Sequence, residues 1–351
     1  MSSENSSFDP QFNTFLLGHQ SAEQLFLRCW QNNSLHNSWL ISGIKGVGKA
    51  TFAFKLARFV LYADEAKKND YTSIDVSPDT HTYKLIAGNA HPDFKILQRD
   101  YTDTDRKKIL KAIKEGEALS PEELKELKRS AYIRVDDVRT INEFLSRKSS
   151  NDGWRVVIID SVDDMNSAAA NALLKILEEP PAKVLMLLIS HNPNKLLPTI
   201  RSRCAKLELK PLQDNEVASL LRRYRPNLSE MAVKKITEIV GGSIGKALIY
   251  ADNDAAEKYD EICALAASGR NFKIAEVLEF CNTAVVSEES YELNKELILK
   301  FLSEYIKSSD KVSNVAECWS NTVKIFTETE SLNLDKKQAL INIIVNICKQ
   351  V

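Results

Sequence analysis

Gly43-Ile44-Lys45-Gly46-Val47-Gly48-Lys49-Ala50-Thr51 has nearly the residue types and spacing of a phosphate cradle. Such a loop needs Gly, four residues, Gly-Lys, then Ser or Thr. Gly43, Gly48 and Lys49 stand in register, Gly46 lies inside the loop, and Ala50 occupies the hydroxyl position. Lys49 has the reach and charge to meet β- and γ-phosphates. Ala50 has no oxygen with which to hold Mg²⁺. Thr51, one position on, is the nearest hydroxyl that could shift into that role. The flanks suit the motif. Trp39-Leu40-Ile41-Ser42 reads as a short buried strand, and Thr51 to Leu61 as a helix with Phe52, Leu56, Phe59 and Val60 on one face. A strand, a Gly-rich turn and a helix start together aim backbone N–H groups at an anion.

A second chemical signal lies downstream. Arg155-Val156-Val157-Ile158-Ile159-Asp160 is a β-branched run ending in a carboxylate. Such a strand is covered on both faces, as in a parallel sheet between helices. Asp160 therefore stands where α/β sheets place ligand groups and reads as a Walker B carboxylate. Ser161 follows, where a hydrolase of this kind places a glutamate base, and a serine is a poor base at neutral pH. Asp163 lies further along the turn. Loss of a metal-ligand hydroxyl and of the base together predicts little hydrolysis. ATP or ADP bound without turnover stays compatible with the remaining residues.

Two cations complete the candidate set. Arg203, in Pro198-Thr199-Ile200-Arg201-Ser202-Arg203-Cys204, is a planar, permanently charged fork suited to phosphate oxygens. Taken alone, a surface salt bridge is the plainer reading, and Arg201 competes for the role. Gly241-Gly242-Ser243-Ile244-Gly245-Lys246 reads as a turn opening a helix that presents Lys246, which in a lid could face a γ-phosphate.

The elements that must position these groups follow from pattern. Phe15 to Trp30, Val135 to Arg147 and Asn166 to Glu179 read as helices, the last capped by Asn166 and stopped by Pro180-Pro181. Phe94 to Leu97 and Val184 to Ser190 read as strands. Ser120-Pro121-Glu122-Glu123 reads as a helix start within a charged, solvated insertion. From Asp214 onward the strand signal fades and the pattern is helical. The expected fold is α/β then all-α: a parallel-sheet domain over residues 10–210, a small helical lid over 211–254 and a helical bundle over 255–351.

Composition sets the bounds. The 351 residues are 44% hydrophobic and 27% charged with net charge −1, so the whole chain carries no strong pull toward nucleic acid or anionic membrane. The six cysteines are dispersed, and His81 and His91 stand ten residues apart with no thiolate near them, so no zinc is expected. The polar residues Met1 to Pro10 are no signal peptide and no apolar run spans a bilayer, which together with the dispersed cysteines predicts a cytoplasmic location.

Order and spacing of these motifs resemble the clamp-loader branch of the AAA+ family over roughly Gly18 to Leu248. Gly18-His19-Gln20 is similar to the segment near the adenine. The run Ala170-Asn171-Ala172-Leu173-Leu174-Lys175-Ile176-Leu177-Glu178-Glu179-Pro180-Pro181 is similar to the helix after Walker B, and Ser202-Arg203-Cys204 to the family's Ser-Arg-Cys motif. The departures at Ala50 and Ser161 resemble the delta-prime subunits of bacterial DNA polymerase III. The four-cysteine zinc module found in many relatives is missing between Tyr62 and Phe94.

That resemblance implies an AAA+ P-loop domain, a lid and a C-terminal collar. It also implies Arg203 acting in trans on a neighbour's ATP, with Lys246 at the second sensor position. The implied partners are gamma/tau and delta subunits in a hetero-pentamer, with the sliding clamp and primed DNA reached through the complex. The alternative it leaves is an active gamma/tau-like ATPase. A trans-acting Arg203 is expected to be exposed and unpaired by any carboxylate in the free chain.

Overall fold

The computed structural model describes residues 8–115, 123, 127–147, 149, 152–308 and 312–350. The chain divides into two compact units, Met1–Gln213 and Asp214–Val351.

In the first unit the elements run α1 (Gln20–Gln31), β1 (Ser38–Ser42), α2 (Lys49–Tyr62), α3 (His81–Ala87), β2 (Phe94–Gln98), α4 (Asp103–Glu115), α5 (Val135–Ser146), β3 (Arg155–Asp160), α6 (Ser167–Glu178), β4 (Val184–Ser190), α7 (Pro198–Ser202) and β5 (Ala205–Glu208). The five strands form one sheet in the order β2-β3-β4-β1-β5, and every pairing is parallel. Parallel neighbours need crossovers, and the helices between strands supply them and cover the faces. β4 is buried along its whole length, and Val156 to Ile159 of β3 are inaccessible to solvent. This is why both strands read as unbroken apolar runs rather than as alternation.

The expected parallel α/β domain is thus present, with two adjustments. The first helix begins at Gln20 rather than Phe15, because Gly18 has φ +84°, outside helical geometry. β5 is a fifth strand the sequence did not advertise. It has four residues, lies at the sheet edge against β1 alone, and buries only Leu207 fully. The helix expected from Ser120 lies outside the described residues, apart from Glu123.

Caps follow the sequence more closely. The Asn166 side chain accepts from the Ala169 N–H at 2.9 Å, as its position before α6 demands. The stretch after α2 fastens to its own unit. Glu65 accepts from Trp154 Nε1 at 2.6 Å and from Lys183 at 3.0 Å, and buried Lys55 of α2 pairs with both Glu23 and Asp75. Among the described residues no group of His, Cys, Asp and Glu side chains is placed to hold a metal ion, and no helix is long and apolar enough to cross a membrane.

The second unit is helical: α8 (Asp214–Tyr224), α9 (Glu230–Val240), α10 (Ile244–Asp252), α11 (Ala255–Ala267), α12 (Ile274–Ala284), α13 (Glu288–Ser308), α14 (Val312–Ser331) and α15 (Lys336–Gln350). α8, α9 and α10 pack on one another. α9 ends at Gly241 in the left-handed conformation, and the Ser243 side chain caps α10 by accepting from Lys246 N. The apolar stripe of α13 (Leu293, Leu297, Ile298, Leu302) is buried within the unit.

Leu187, 0% exposed in β4, sits at the middle of the sheet. Leu187→Ala should cost about 2–5 kcal/mol in urea unfolding. Lys206→Ala on exposed β5 should stay within about 0.5 kcal/mol.

Candidate functional site

The sheet register brings three chain turns to one level. Ser42 of β1 pairs with Ser190 of β4, and Ile189 pairs with Asp160 of β3. The Gly-rich loop, the Asp160-Ser161 turn and the Ser190-His191-Asn192 turn therefore leave the C-terminal end of the sheet side by side.

The loop has the backbone its glycines were expected to permit. Gly43, Gly46 and Gly48 have φ of +150°, +79° and +106°. A Cβ on Gly43 would lie 2.4 Å from the Leu209 carbonyl oxygen, so close approach to the chain after β5 excludes any side chain there. Gly48 caps α2 and lies under Leu16. His19, 3% exposed, has Nε2 3.0 Å from the Val47 carbonyl. A carbonyl only accepts, so that nitrogen carries the proton. His19 thus ties the Gly18-His19-Gln20 segment to the loop.

Lys49 is 3% exposed and turned onto its own loop, where its ammonium donates to the Gly43 and Ile44 carbonyls at 2.8 and 2.7 Å. Burial pushes its pKa down to about 8, against the opposing pull of Asp160 and Asp163. Burial likewise raises the Asp160 carboxyl above its usual range, offset by His191, a hydrogen bond from Gln98, and Lys49. His191 is lowered, first by burial and then by Lys49. The structure therefore joins Gly43, Gly46, Gly48, Lys49 and Asp160 in one site.

Thr51 and Asp163, the side chains nearest to the missing groups, are not placed to supply them. Ala50 is half-buried while Thr51 is 8% exposed. Adjacent helical residues differ by about 100° in direction, so Thr51 does not take the place of a hydroxyl at position 50. Asp163 is bound on both oxygens. It accepts from Ser190 Oγ at 3.0 Å, His191 N at 2.7 Å and Asn192 N at 3.1 Å, and so ties the turn after β3 to the end of β4. The Ser161 hydroxyl is buried without a hydrogen-bond partner among the described residues. His191 and Asn192 were not picked out from the sequence. Their place at the end of a buried strand was the available signal.

Arg203 follows α7 and is exposed, as expected. The expectation that it is unpaired fails: Nη2 donates to Glu178 at 2.7 Å and Nη1 to the Thr199 carbonyl at 3.0 Å. Glu178 ends α6, and α6 packs on α7, so the carboxylate lies within reach of the guanidinium. Arg201 donates to Asn194. In the second unit Lys246 pairs with Glu296 at 2.8 Å, and Glu296 also accepts from the Tyr250 hydroxyl.

The sequence model of the family described as DNA polymerase III, delta subunit, matches residues 18–213, more than half of the chain. The chain belongs to this family. It is 32% identical over 209 residues to the DNA polymerase III subunit delta' of Pseudomonas aeruginosa, covering 59% of this chain and 53% of that protein. It is 29% identical over 234 residues to the subunit delta' of Escherichia coli, covering 66% and 60%. It is also 25% identical over 243 residues to the subunit gamma of Buchnera aphidicola, covering 68% and 57%. These matches span little more than half the length of each relative. The family model's residues 18–213 include the Gly-rich loop, Asp160 and Arg203.

Lys49 yields a pH test. Its folded pKa lies below its unfolded value, so the unfolded chain binds more protons between about pH 8 and 10.5. This group therefore adds stability as pH rises through that window and contributes nothing extra below it. The Lys49 side-chain carbon resonance should titrate with a midpoint of about 8. Asp160→Asn, which removes a carboxylate that raises it, should move the midpoint lower still. A midpoint near that of exposed lysines would contradict the burial described here.

Proposed function

We propose that this chain is the delta-prime-type subunit of a DNA polymerase III clamp loader. In this reading it does not hydrolyse ATP efficiently itself and donates Arg203 in trans to a neighbouring ATPase subunit. The observation that carries the reading is a contrast within one domain. The chain's own site lacks the hydroxyl at Ala50 and the base at Ser161. Arg203 stands exposed on the same domain, after α7. Family membership and relatives named delta' support it.

The domain roles follow as part of the proposal. Residues 10–210 form the AAA+ domain, 211–254 the lid carrying Lys246, and 255–351 the collar that holds the chain beside gamma/tau and delta subunits. Through that hetero-pentamer it would act on a sliding clamp and primed DNA. The loop of Gly43, Gly46, Gly48 and Lys49 with Asp160 keeps enough of a phosphate cradle to bind ATP or ADP without turnover. Lys49 would leave its two carbonyls to meet the phosphates, and no metal ligand is offered at position 50.

The gamma/tau-like alternative draws support from the gamma relative. It needs Thr51 and Asp163 to replace the missing groups. The burial of Thr51 and the three donors already on Asp163 count against it.

The isolated chain should show negligible steady-state ATPase, and Ala50→Thr with Ser161→Glu should recover some nucleotide binding or turnover. Robust hydrolysis by the wild-type chain alone would contradict the reading. In the reconstituted complex Arg203→Ala should lower ATPase and clamp loading without impairing assembly. An arginine finger in small GTPases is worth about 10³–10⁵ in rate, and the whole-complex effect should be smaller because one of several sites is affected. Arg203→Lys should rescue poorly, since a point charge does not reproduce the fork. Arg201→Ala should do less. Wild-type loading by the Arg203→Ala complex would overturn the proposal.

A further inference from the structure

Resting on the trans-acting role of Arg203, we infer that Glu178 is the residue that sets how available that arginine is: a carboxylate latch that a neighbour's phosphate must displace. Glu178 is the last residue of α6 and Arg203 the residue after α7, and these helices pack together. The Glu178 Oε1 to Arg203 Nη2 distance is 2.7 Å, and the Thr199 carbonyl takes Nη1 at 3.0 Å. A guanidinium has five N–H donors. Here two of its nitrogens are committed to groups of its own domain.

Solvent exposure decides how tight the latch is. The side chains are 34% and 48% exposed, so water screens the pair and neither charge is trapped. Pairs of this kind favour the closed form by only about 1.4- to 5-fold. A buried pair would make Arg203 useless to a neighbour, because breaking it would strand two charges. An exposed one can be exchanged, carboxylate for phosphate, one anionic acceptor for another. The exchange also discriminates. A surface with no anion at this point offers the guanidinium nothing in return for Glu178. A nucleotide triphosphate edge presents several acceptor oxygens in the bidentate geometry an arginine prefers.

The pairing is specific to the element that carries it. Glu178 is the first glutamate of the Leu-Leu-Lys-Ile-Leu-Glu-Glu run, whose apolar residues Leu173, Ile176 and Leu177 are buried in the core. The helix end is thereby fixed, and the carboxylate is held by a rigid element rather than a loop. Glu178 thus acts as a positioning residue: it holds the guanidinium in the free chain and touches no reacting atom.

The test uses the assembled complex with ATP, in which the other subunits carry alanine at their own Ser-Arg-Cys arginines, so that Arg203 supplies the sole finger. Glu178→Gln keeps the shape and removes the charge. It should raise kcat/KM for ATP about two- to sixfold, the range set by the closed-form preference of an exposed pair. The same change in an Arg203→Ala background should have no effect. Glu178→Asp, which keeps the charge on a shorter arm, should fall between wild type and Glu178→Gln. If Arg203→Ala lowers the rate but Glu178→Gln leaves it unchanged or lowers it, the latch is overturned and the finger stands. If Arg203→Ala has no effect, both are overturned.

Discussion

The register of β1, β4 and β3 is the constraint on which the rest of the site depends. Ser42 opposite Ser190 and Ile189 opposite Asp160 make three strands end at one level. A one-residue slip would move every side chain of a strand to the opposite face of the sheet. It would also misplace the turn at Lys49 against the turn at Asp160. The pairing is held by apolar residues such as Leu40, Ile158 and Leu187 that take no part in chemistry. The core thus positions the site without contributing to it. Gly43 adds a second restraint, because it passes so close to the Leu209 carbonyl that no larger residue fits.

Lys49, Arg203 and Lys246 each find an acceptor within their own unit. Lys49 bonds two loop carbonyls, Arg203 bonds Glu178 and Thr199, and Lys246 bonds Glu296. The three differ in how easily they are released. Lys49 is buried, and burial lowers its pKa against the pull of Asp160 and Asp163. Arg203 and Lys246 stand partly in water, where an ion pair holds weakly. A protein of this build rests in a self-satisfied state and gives up its exposed cations first. That ordering agrees with the proposed role, in which the outward-facing arginine matters and the chain's own nucleotide site has lost two of its working parts.

The sequence exposed most of the sheet, because buried parallel strands are written as unbroken apolar runs and Asn166 and Pro180-Pro181 mark the ends of α6. It hid β5, whose Ala205-Lys206-Leu207-Glu208 is short, half polar and paired on one side only. Glycine spacing gave away the loop, and a carboxylate at a strand end gave away Asp160. The partners of those residues were not legible. Glu178 and Arg203 are 25 positions apart, and only the packing of α6 on α7 joins them. The sequence places Asp163 only further along the turn, yet three donors from the end of β4 occupy it. Such contacts depend on tertiary distance, which residue type and spacing do not encode.

The most direct measurement is the structure of the assembled complex with a non-hydrolysable ATP analogue in the neighbouring subunit. The account predicts the Arg203 guanidinium at hydrogen-bond distance from the γ-phosphate, about 2.7–3.1 Å, with Glu178 released to solvent. Arg203 still bonded to Glu178 and away from that phosphate, in a neighbour that is bound and closed, would contradict it.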